Sequence, residues 1–301
     1  MATTWRFSVL VPVPFLLLAA CQPAERDSDY GVDGAPPPAL IDAASGPADA
    51  QDNGFIDAAG NVPDSSVVPP DPDGVVYGHS SSMLYKIDPE TFAVTEVAPF
   101  HWAGGIGFDQ MTDIAIDKHG QMIGVSFGKV YRVDPVTAEC TMLAPLDHEF
   151  NGLSFVPAAA GDPIDDERLV GTTLDGSVWR IDPMTGASTM LGNYGGDLTS
   201  SGDIVFVDGF GAVATVKHAN FGPDFLVSVD PTTFAATLIG GGTGFSDIWG
   251  LGFWKGKVFG FSGQSQFLLI DATTGAASLL AQGSNVTWWG AGVTTAAPVI
   301  P

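Results

Sequence analysis

Basic residues are scarce in this 301-residue chain, in which 11 lysines and arginines stand against 34 aspartates and glutamates. The formal net charge is −23. A surface of that sign repels nucleic acid and anionic lipid headgroups. Nucleic acid is therefore excluded as a partner, whereas cations, neutral glycans and basic proteins suit the charge.

Motifs of catalysis are missing as well. The chain contains no Gly-x-Ser-x-Gly, no phosphate-binding glycine loop and no Cys-x-x-Cys. Nothing between residues 74 and 293 sustains a hydrophobic period of 3.6 residues, so helices are not expected there. The sequence assigns no catalytic residue and leaves open whether the protein is an enzyme.

A short strand followed by Asp-Pro, or once Asp-Ala, recurs five times, and each copy has a Thr three residues after the Asp. The aspartates stand 46, 48, 48 and 41 residues apart, and they are Asp88, Asp134, Asp182, Asp230 and Asp271. Proline presets φ and the carboxylate accepts backbone N–H groups, which favours a hairpin turn. Each copy therefore predicts a hairpin.

One position of this hairpin varies among the copies. Gly186 and Gly275 fill it in two of them, while Phe92, Ala138 and Phe234 fill it in the others. Glycine tolerates positive φ and the other residues do not. We expect the three copies without glycine to turn differently.

A second hairpin precedes most copies and begins with an alternating β-branched or aromatic strand, which makes a four-stranded unit A to D. The spacing fits the roughly 40–50 residues of a propeller blade. The first hairpin lacks a strand A, and the last strand A, residues 289–294, has nothing after it. We therefore predict an all-β, five-bladed propeller of antiparallel blades over residues 74–296, closed by the C-terminal strand, with a tail at 297–301.

The repeat resembles the quinoprotein-like and NHL-like β-propellers, whose blades follow the pattern strand–Asp–Pro–x–Thr–Gly–x–Thr. The resemblance covers residues 74–293 and implies the fold. Propellers of this kind include lactonases, dehydrogenases, lectins and scaffolds, so the resemblance leaves the activity open.

The N-terminus has the form of a bacterial lipoprotein signal at residues 1–20. One basic residue, Arg6, precedes a short apolar run with two prolines, and Leu-Ala-Ala then leads to Cys21. A membrane span would need about 20 apolar residues. We expect Cys21 to be lipidated and to anchor the protein, with Gln22 favouring the outer membrane. Cys140 is then unpaired, and we expect it to be a small buried side chain.

Residues 21–73 have a different composition, with eleven acidic residues, one arginine and many prolines. Low apolar content and charge of one sign cannot support a core. We predict a disordered tether between the anchor and a monomeric propeller.

The D–A and B–C loops of a propeller share one face, called the D–A face below. Here these loops combine aromatic rings with amide and carboxylate groups, which suit a glycan, an envelope polymer or a partner protein. We expect Trp102 and Trp288 to be exposed there. The candidate binding residues are His101, Trp102, Asn151, Tyr194, Asp247 and Trp288.

A second interpretation is a metal-dependent lactonase or esterase, in which a cation in the central channel polarises an ester carbonyl. Asp113 and Asp203 share the first position of strand A, so they are the candidate ligands of Ca²⁺ or another divalent cation. Glycines occupy that position in the other three blades, which weakens this interpretation. A scaffold without a small ligand is the third.

Overall fold

The computed structural model describes residues 75–160, 162, 166–218, 222–282 and 286–300, all within one compact unit of the chain. The predicted signal peptide, Cys21 and the tether lie outside these residues. Regular structure in the described part is β-strand, apart from one 3-10 turn at Ala103–Gly105. No helix there is long and apolar enough to span a bilayer.

The described residues form twenty-one strands in five sheets, in each of which strands A to D follow one another from the axis outward. The second sheet has a fifth strand, β4, on its outer edge. The first blade consists of β21 (Gly290–Gly292), β1 (Val76–His79), β2 (Met83–Ile87) and β3 (Val94–Pro99), and the second of β5 (Asp113–Ile116), β6 (Met122–Val125), β7 (Lys129–Val133), β8 (Glu139–Pro145) and β4 (His101–Trp102). The third blade consists of β9 (Gly152–Pro157), β10 (Glu167–Thr172), β11 (Ser177–Ile181) and β12 (Ser188–Asn193), and the fourth of β13 (Leu198–Val207), β14 (Gly211–His218), β15 (Phe225–Val229) and β16 (Ala236–Ile239). The fifth blade consists of β17 (Ile248–Trp254), β18 (Lys257–Ser262), β19 (Gln266–Ile270) and β20 (Ala277–Gln282).

The five A strands form a closed ring. Strand β5 contacts β9, β9 contacts β13, β13 contacts β17, β17 contacts β21, and β21 contacts β5. The C-terminal strand completes the first blade, because Gly290 pairs with His79 and Gly292 with Tyr77. The predicted five-bladed propeller, its closure by the last strand and the fold-level resemblance are confirmed.

The C–D hairpins are alike in all five blades, so the expectation that three of them turn differently is wrong. Phe92, Ala138 and Phe234 have φ of 63°, 55° and 60°, beside 72° at Gly186 and 71° at Gly275. In every copy the N–H of this residue donates to the carbonyl of the repeat aspartate, and the carboxylate accepts two N–H groups beyond it, as Asp230 does from Thr232 and Thr233.

Packing between blades explains how non-glycine residues hold this backbone. Left-handed φ costs about 1–3 kcal/mol for a residue with a side chain. Phe234 is fully buried among residues of the third and fourth blades, with the Arg168 guanidinium 5.4 Å from its ring centroid. Phe92 packs edge-on against Phe259 and Phe267 of the fifth blade. Burial of a phenyl ring contributes about 1.5–3 kcal/mol and offsets the strain.

The chain after β21 continues across the A–B side of the ring. Thr294 forms a bridge with Ile116 of the second blade, Thr295 Oγ1 donates to Glu167 of the third, and the Thr295 carbonyl accepts the N–H of Asp208 in the fourth. Pro298 accepts the N–H of Lys255 in the fifth blade. The C-terminal segment therefore ties together the A–B turns of four blades.

Candidate functional site

The start of each strand A lies beside the end of strand B, which places the D–A and B–C loops on one face of the ring. Asp113 pairs with Val125, Gly152 with Thr172, and Gly290 with His79. In these three blades the first position of strand A thus lies beside the last position of strand B; in the fourth blade β13 begins earlier, at Leu198, and Asp203 lies within it.

Two carboxyl groups lie at this level. Asp113 and Asp203 are both fully buried, and His79 is equally buried with Nε2 3.6 Å from Asp113 Oδ1. A Cβ atom on Gly290 would overlap both Asp113 Oδ1 and His79 Nε2. One on Gly250 would come within 2.6 Å of the Gly290 carbonyl carbon. Glycine at these positions therefore lets the inner strands and the buried polar side chains approach each other.

The aspartates bind backbone groups of the inner strands. Asp203 Oδ1 accepts the N–H of Ile204 at 2.7 Å and its Oδ2 accepts the N–H of Leu251 at 2.7 Å. Asp113 Oδ1 accepts the N–H of Ile114 at 2.9 Å. The axial edge of a strand A has no further strand to pair with, so these carboxylates satisfy donors that would otherwise be buried without an acceptor.

Burial sets the protonation of the cluster. It raises the pKa of Asp203 to about 8, and burial with the neighbouring Asp203 charge raises the pKa of Asp113 well above its ordinary value. Burial also lowers the pKa of His79 to about 4, so its ring is neutral near pH 7. Two carboxylates side by side without solvent cannot both ionise easily. The axis therefore holds a proton at neutral pH.

The side chains at the axis do not fit the proposed divalent cation. Ca²⁺ takes six to eight oxygen ligands. Both oxygens of Asp203 already accept backbone N–H groups, and Asp113 Oδ2 is the one carboxylate oxygen of the pair without a hydrogen bond. Among the described residues, no group of three or more His, Cys, Asp or Glu side chains could hold a metal ion.

The predicted binding residues are spread over several environments. Asn151 lies near the axis, where its amide donates to Ser200 Oγ at 3.2 Å and its carbonyl oxygen accepts from Thr172 at 3.4 Å. Tyr194 is buried, and burial followed by the Asp203 charge raises the pKa of its hydroxyl. Trp288 is fully buried against Tyr85 and Phe261, so the expectation that it is exposed is wrong.

His101 and Trp102 do not belong to a loop of the D–A face. They form β4, which runs parallel to β8 with His101 beside Glu139 and Trp102 beside Cys140. The Trp102 ring is half-buried, 4.8 Å from Tyr131 between centroids. These two residues therefore cover the outer edge of the second blade instead of converging with Asn151.

Asp247 lies on the D–A face with a positive φ of 58°. Its carboxylate accepts from Lys217 at 2.9 Å and from Gln264 at 3.2 Å, and the Lys217 bond is the main cause of its lowered pKa. Asp224 lies beside it and is buried, with Lys217 Nζ 3.9 Å away. Asp247 is thus held in a half-buried polar cluster between the fourth and fifth blades.

A cluster of Ser188, His148 and Asp147 joins the second and third blades. Ser188 Oγ lies 2.5 Å from Asp147 Oδ1 and 2.9 Å from His148 Nδ1, and Asp147 Oδ1 lies 3.0 Å from that same nitrogen. In a serine hydrolase the hydroxyl and the carboxylate bind opposite nitrogens of the ring. This cluster lacks that arrangement and holds two blades together.

Three aromatic residues outside the predicted binding set lie on the D–A face, Phe108, Phe127 and Trp289, here called the aromatic patch; the sequence placed Trp289 in a D–A loop and favoured a packing role for it. Phe108 is 76% exposed and Phe127 48% exposed. Phe127 meets the half-buried Trp289 edge-on at 6.2 Å between centroids. The bond from Lys129 Nζ to Asp109, 2.9 Å long, holds the loop of Phe108 against that of Phe127. The sequence signal that could have indicated an exposed ring is the position of Phe127 between Ser126 and Gly128 in a short B–C loop.

Comparisons with known proteins give no family. No protein-family model matches the chain, and no curated protein matches it. Solved structures with a similar fold include the computationally designed Ika8 protein (17% identity over 72% of this chain and 61% of that one, TM-score 0.33). BamB from Moraxella catarrhalis (15%, 70% and 59%, 0.33) and a protein of unknown function from Bacteroides thetaiotaomicron VPI-5482 (13%, 68% and 55%, 0.43) are also similar. The chain spans about three fifths of the length of these structures.

Proposed function

We propose that this protein is an exported bacterial lipoprotein whose propeller binds a partner through the D–A face. The observation that carries the proposal is the aromatic patch. Phe108 and Phe127 project large apolar side chains into solvent from loops that ion pairs and backbone bonds hold in place. Exposed apolar patches with a polar surround are typical of interaction sites.

Burial argues for binding rather than for catalysis. His79, Asp113 and Asp203 have strongly shifted pKa values, and none has more than 1% of its surface exposed. A substrate would have to separate the inner strands to reach them. A lactonase or esterase using these residues therefore has less support than a binding surface above them.

The anchored location rests on the sequence of residues 1–21 alone. A lipid at Cys21 would hold the protein in the outer membrane, and the acidic tether would let the D–A face reach partners away from the bilayer. A glycan, an envelope polymer or a protein could then be the partner. The D–A face offers exposed aromatic rings at the patch and, between the fourth and fifth blades, the polar groups of Asp247, Lys217 and Gln264, and this combination suits any of the three.

Binding to the patch is tested with the full-length protein in a neutral detergent, screened against a glycan array, purified peptidoglycan and a panel of peptides. The test variant is Phe108→Ser/Phe127→Ser. The matched control is Val136→Ser/Met184→Ser, which removes side chains 61% and 42% exposed on the C–D turns. Binding that the patch variant loses and the control keeps supports the proposal. Ligands bound equally by both variants, or no ligand at all, would overturn it.

A further inference from the structure

Acidic side chains surround one part of the D–A face. Asp147 and Glu149 follow β8, Asp175 lies in the loop between β10 and β11, and Asp197 lies in the loop before β13. All four are exposed, and they are called the acidic crescent below. Leu174, 71% exposed, lies in the same loop as Asp175. The crescent therefore contains an apolar side chain as well as carboxylates.

Two lysines of this face already form ion pairs with aspartates of the same face. Lys129 pairs with Asp109 at 2.9 Å, and Lys217 pairs with Asp247 at 2.9 Å. His148 contacts Asp147 in the crescent, whereas Glu149 and Asp197 make no hydrogen bond or ion pair with the described chain. The D–A face as a whole is thus apolar at the aromatic patch and negative at the crescent.

We propose that the partner of the D–A face is a protein segment that carries basic side chains together with apolar ones. This inference rests on the proposed function of the face. Charge complementarity across an interface speeds association and suppresses partners of the same sign. The aromatic patch and Leu174 would receive the apolar side chains, since buried aromatic contacts supply most of the binding energy of an interface.

The same charges argue against the other occupants. A second copy of this chain would present its own carboxylates, because the protein carries 34 acidic residues against 11 basic ones. Like charges placed opposite each other at an interface cost several kcal/mol. An anionic membrane surface or a nucleic acid is repelled for the same reason. A neutral glycan gains nothing from the crescent, so it is an outcome of the test.

The experiment compares two synthetic peptides of equal length and identical Trp and Leu positions. One has Lys at the remaining positions and the other has Glu, and neutral dextran is the glycan probe. Binding to full-length protein in detergent is measured by calorimetry at low and high salt. We expect the Lys peptide to bind, the Glu peptide and dextran not to bind, and the affinity to fall as salt screens the charges.

Variants separate the contribution of the acidic crescent to binding from that of the aromatic patch. Glu149→Gln/Asp197→Asn should weaken the Lys peptide several-fold and reduce its salt dependence, whereas the control Glu96→Gln/Glu139→Gln, also exposed but on the D strands, should not. Phe127→Ser should weaken binding about tenfold, as truncating an interface anchor does. Binding of the Lys peptide that ignores the crescent variant, or no binding of it, overturns this inference. Patch-dependent binding of dextran would overturn it while sustaining the proposed function, and patch-independent binding of every probe would overturn both.

Discussion

Asp203 of the fourth blade accepts the backbone N–H of Leu251 in the fifth, with 2.7 Å between Oδ2 and the nitrogen. The inner strands of a propeller have one edge with no neighbouring strand, and in this ring that edge is buried. A carboxylate on one inner strand therefore accepts a backbone N–H group of the next inner strand, as a carbonyl of a further strand would. The residues that resemble a channel metal site bind the backbone of adjacent blades.

Replacing Asp203 by Asn tests this role. The amide keeps one acceptor oxygen, so either Ile204 N–H or Leu251 N–H would face an NH₂ group. A buried donor left without an acceptor costs about 1–3 kcal/mol, and we expect that loss in the free energy of unfolding by urea. The control is Asp208→Asn, an exposed aspartate just after β13. An Asp203→Asn protein as stable as wild type would contradict the assignment.

Gly290 is the position where added volume should be tolerated least. A Cβ atom there would overlap Asp113 and His79, which have no room to withdraw because both are fully buried. We expect Gly290→Ala to lower the melting temperature strongly, at a cost of about 3 kcal/mol or more from overpacking and lost hydrogen bonds.

Gly241→Ala is the comparison for Gly290→Ala. A Cβ on Gly241 meets nothing within 4 Å, and its φ is not in the left-handed region. Its melting temperature should match that of wild type within a few degrees. Equal effects of the two substitutions would show that the axis is looser than this packing requires.

The sequence was sufficient for the fold because the repeat encodes it locally. Asp230 and its four counterparts each direct the same turn, and their spacing sets the blade count. The alternation of Asp and Gly at the start of strand A also indicated that Asp113 and Asp203 share one level of the ring. Periodicity therefore predicts register, and register predicts which residues meet at the axis.

Exposure was harder to predict, because it depends on how neighbouring blades pack. Trp288 precedes strand A directly, and Gly78 on the paired strand leaves a space that its ring fills; a Cβ on Gly78 would come within 2.8 Å of it. His101 and Trp102 have the composition of a loop but add a strand to the second blade. No periodic signal distinguishes these outcomes, since each depends on one tertiary contact.

The anchor at Cys21 is tested by Cys21→Ser in the native host or a Gram-negative surrogate. Without the thiol no lipid can be attached, and we expect the variant to appear in the soluble or inner-membrane fraction with its signal peptide uncleaved. Fractionation followed by mass spectrometry of the N-terminus measures this. Cys140→Ser should fractionate like wild type, because that thiol is buried in the second blade and burial raises its pKa to about 12. A Cys21→Ser protein that stays with the outer membrane would contradict the lipoprotein assignment.

The dependence of stability on pH follows from the axial cluster. For Asp113 and Asp203 the pKa in the folded protein lies above that of the unfolded chain, so their stabilising contribution is full at low pH and is lost as pH rises through the folded value, about 8 for Asp203. For His79 the folded pKa of about 4 lies below the unfolded value near 6.5, so its contribution is lost as pH falls below about 6.5.

The effects of the aspartate pair and of His79 on the free energy of unfolding are opposite in sign. Both act below pH 6.5, and only that of the aspartates acts above it. Between pH 6.5 and about 8 the aspartates act without His79, and the free energy of unfolding should decline by on the order of 1–2 kcal/mol. Asp113→Asn mimics the protonated carboxyl group and should flatten that decline, while Asp208→Asn should leave it unchanged. Urea unfolding of wild type and of the two variants at intervals from pH 6 to 9 measures the decline in the free energy of unfolding. A decline equally steep in the Asp113→Asn variant would show that the proton at the axis is not held by the aspartate pair.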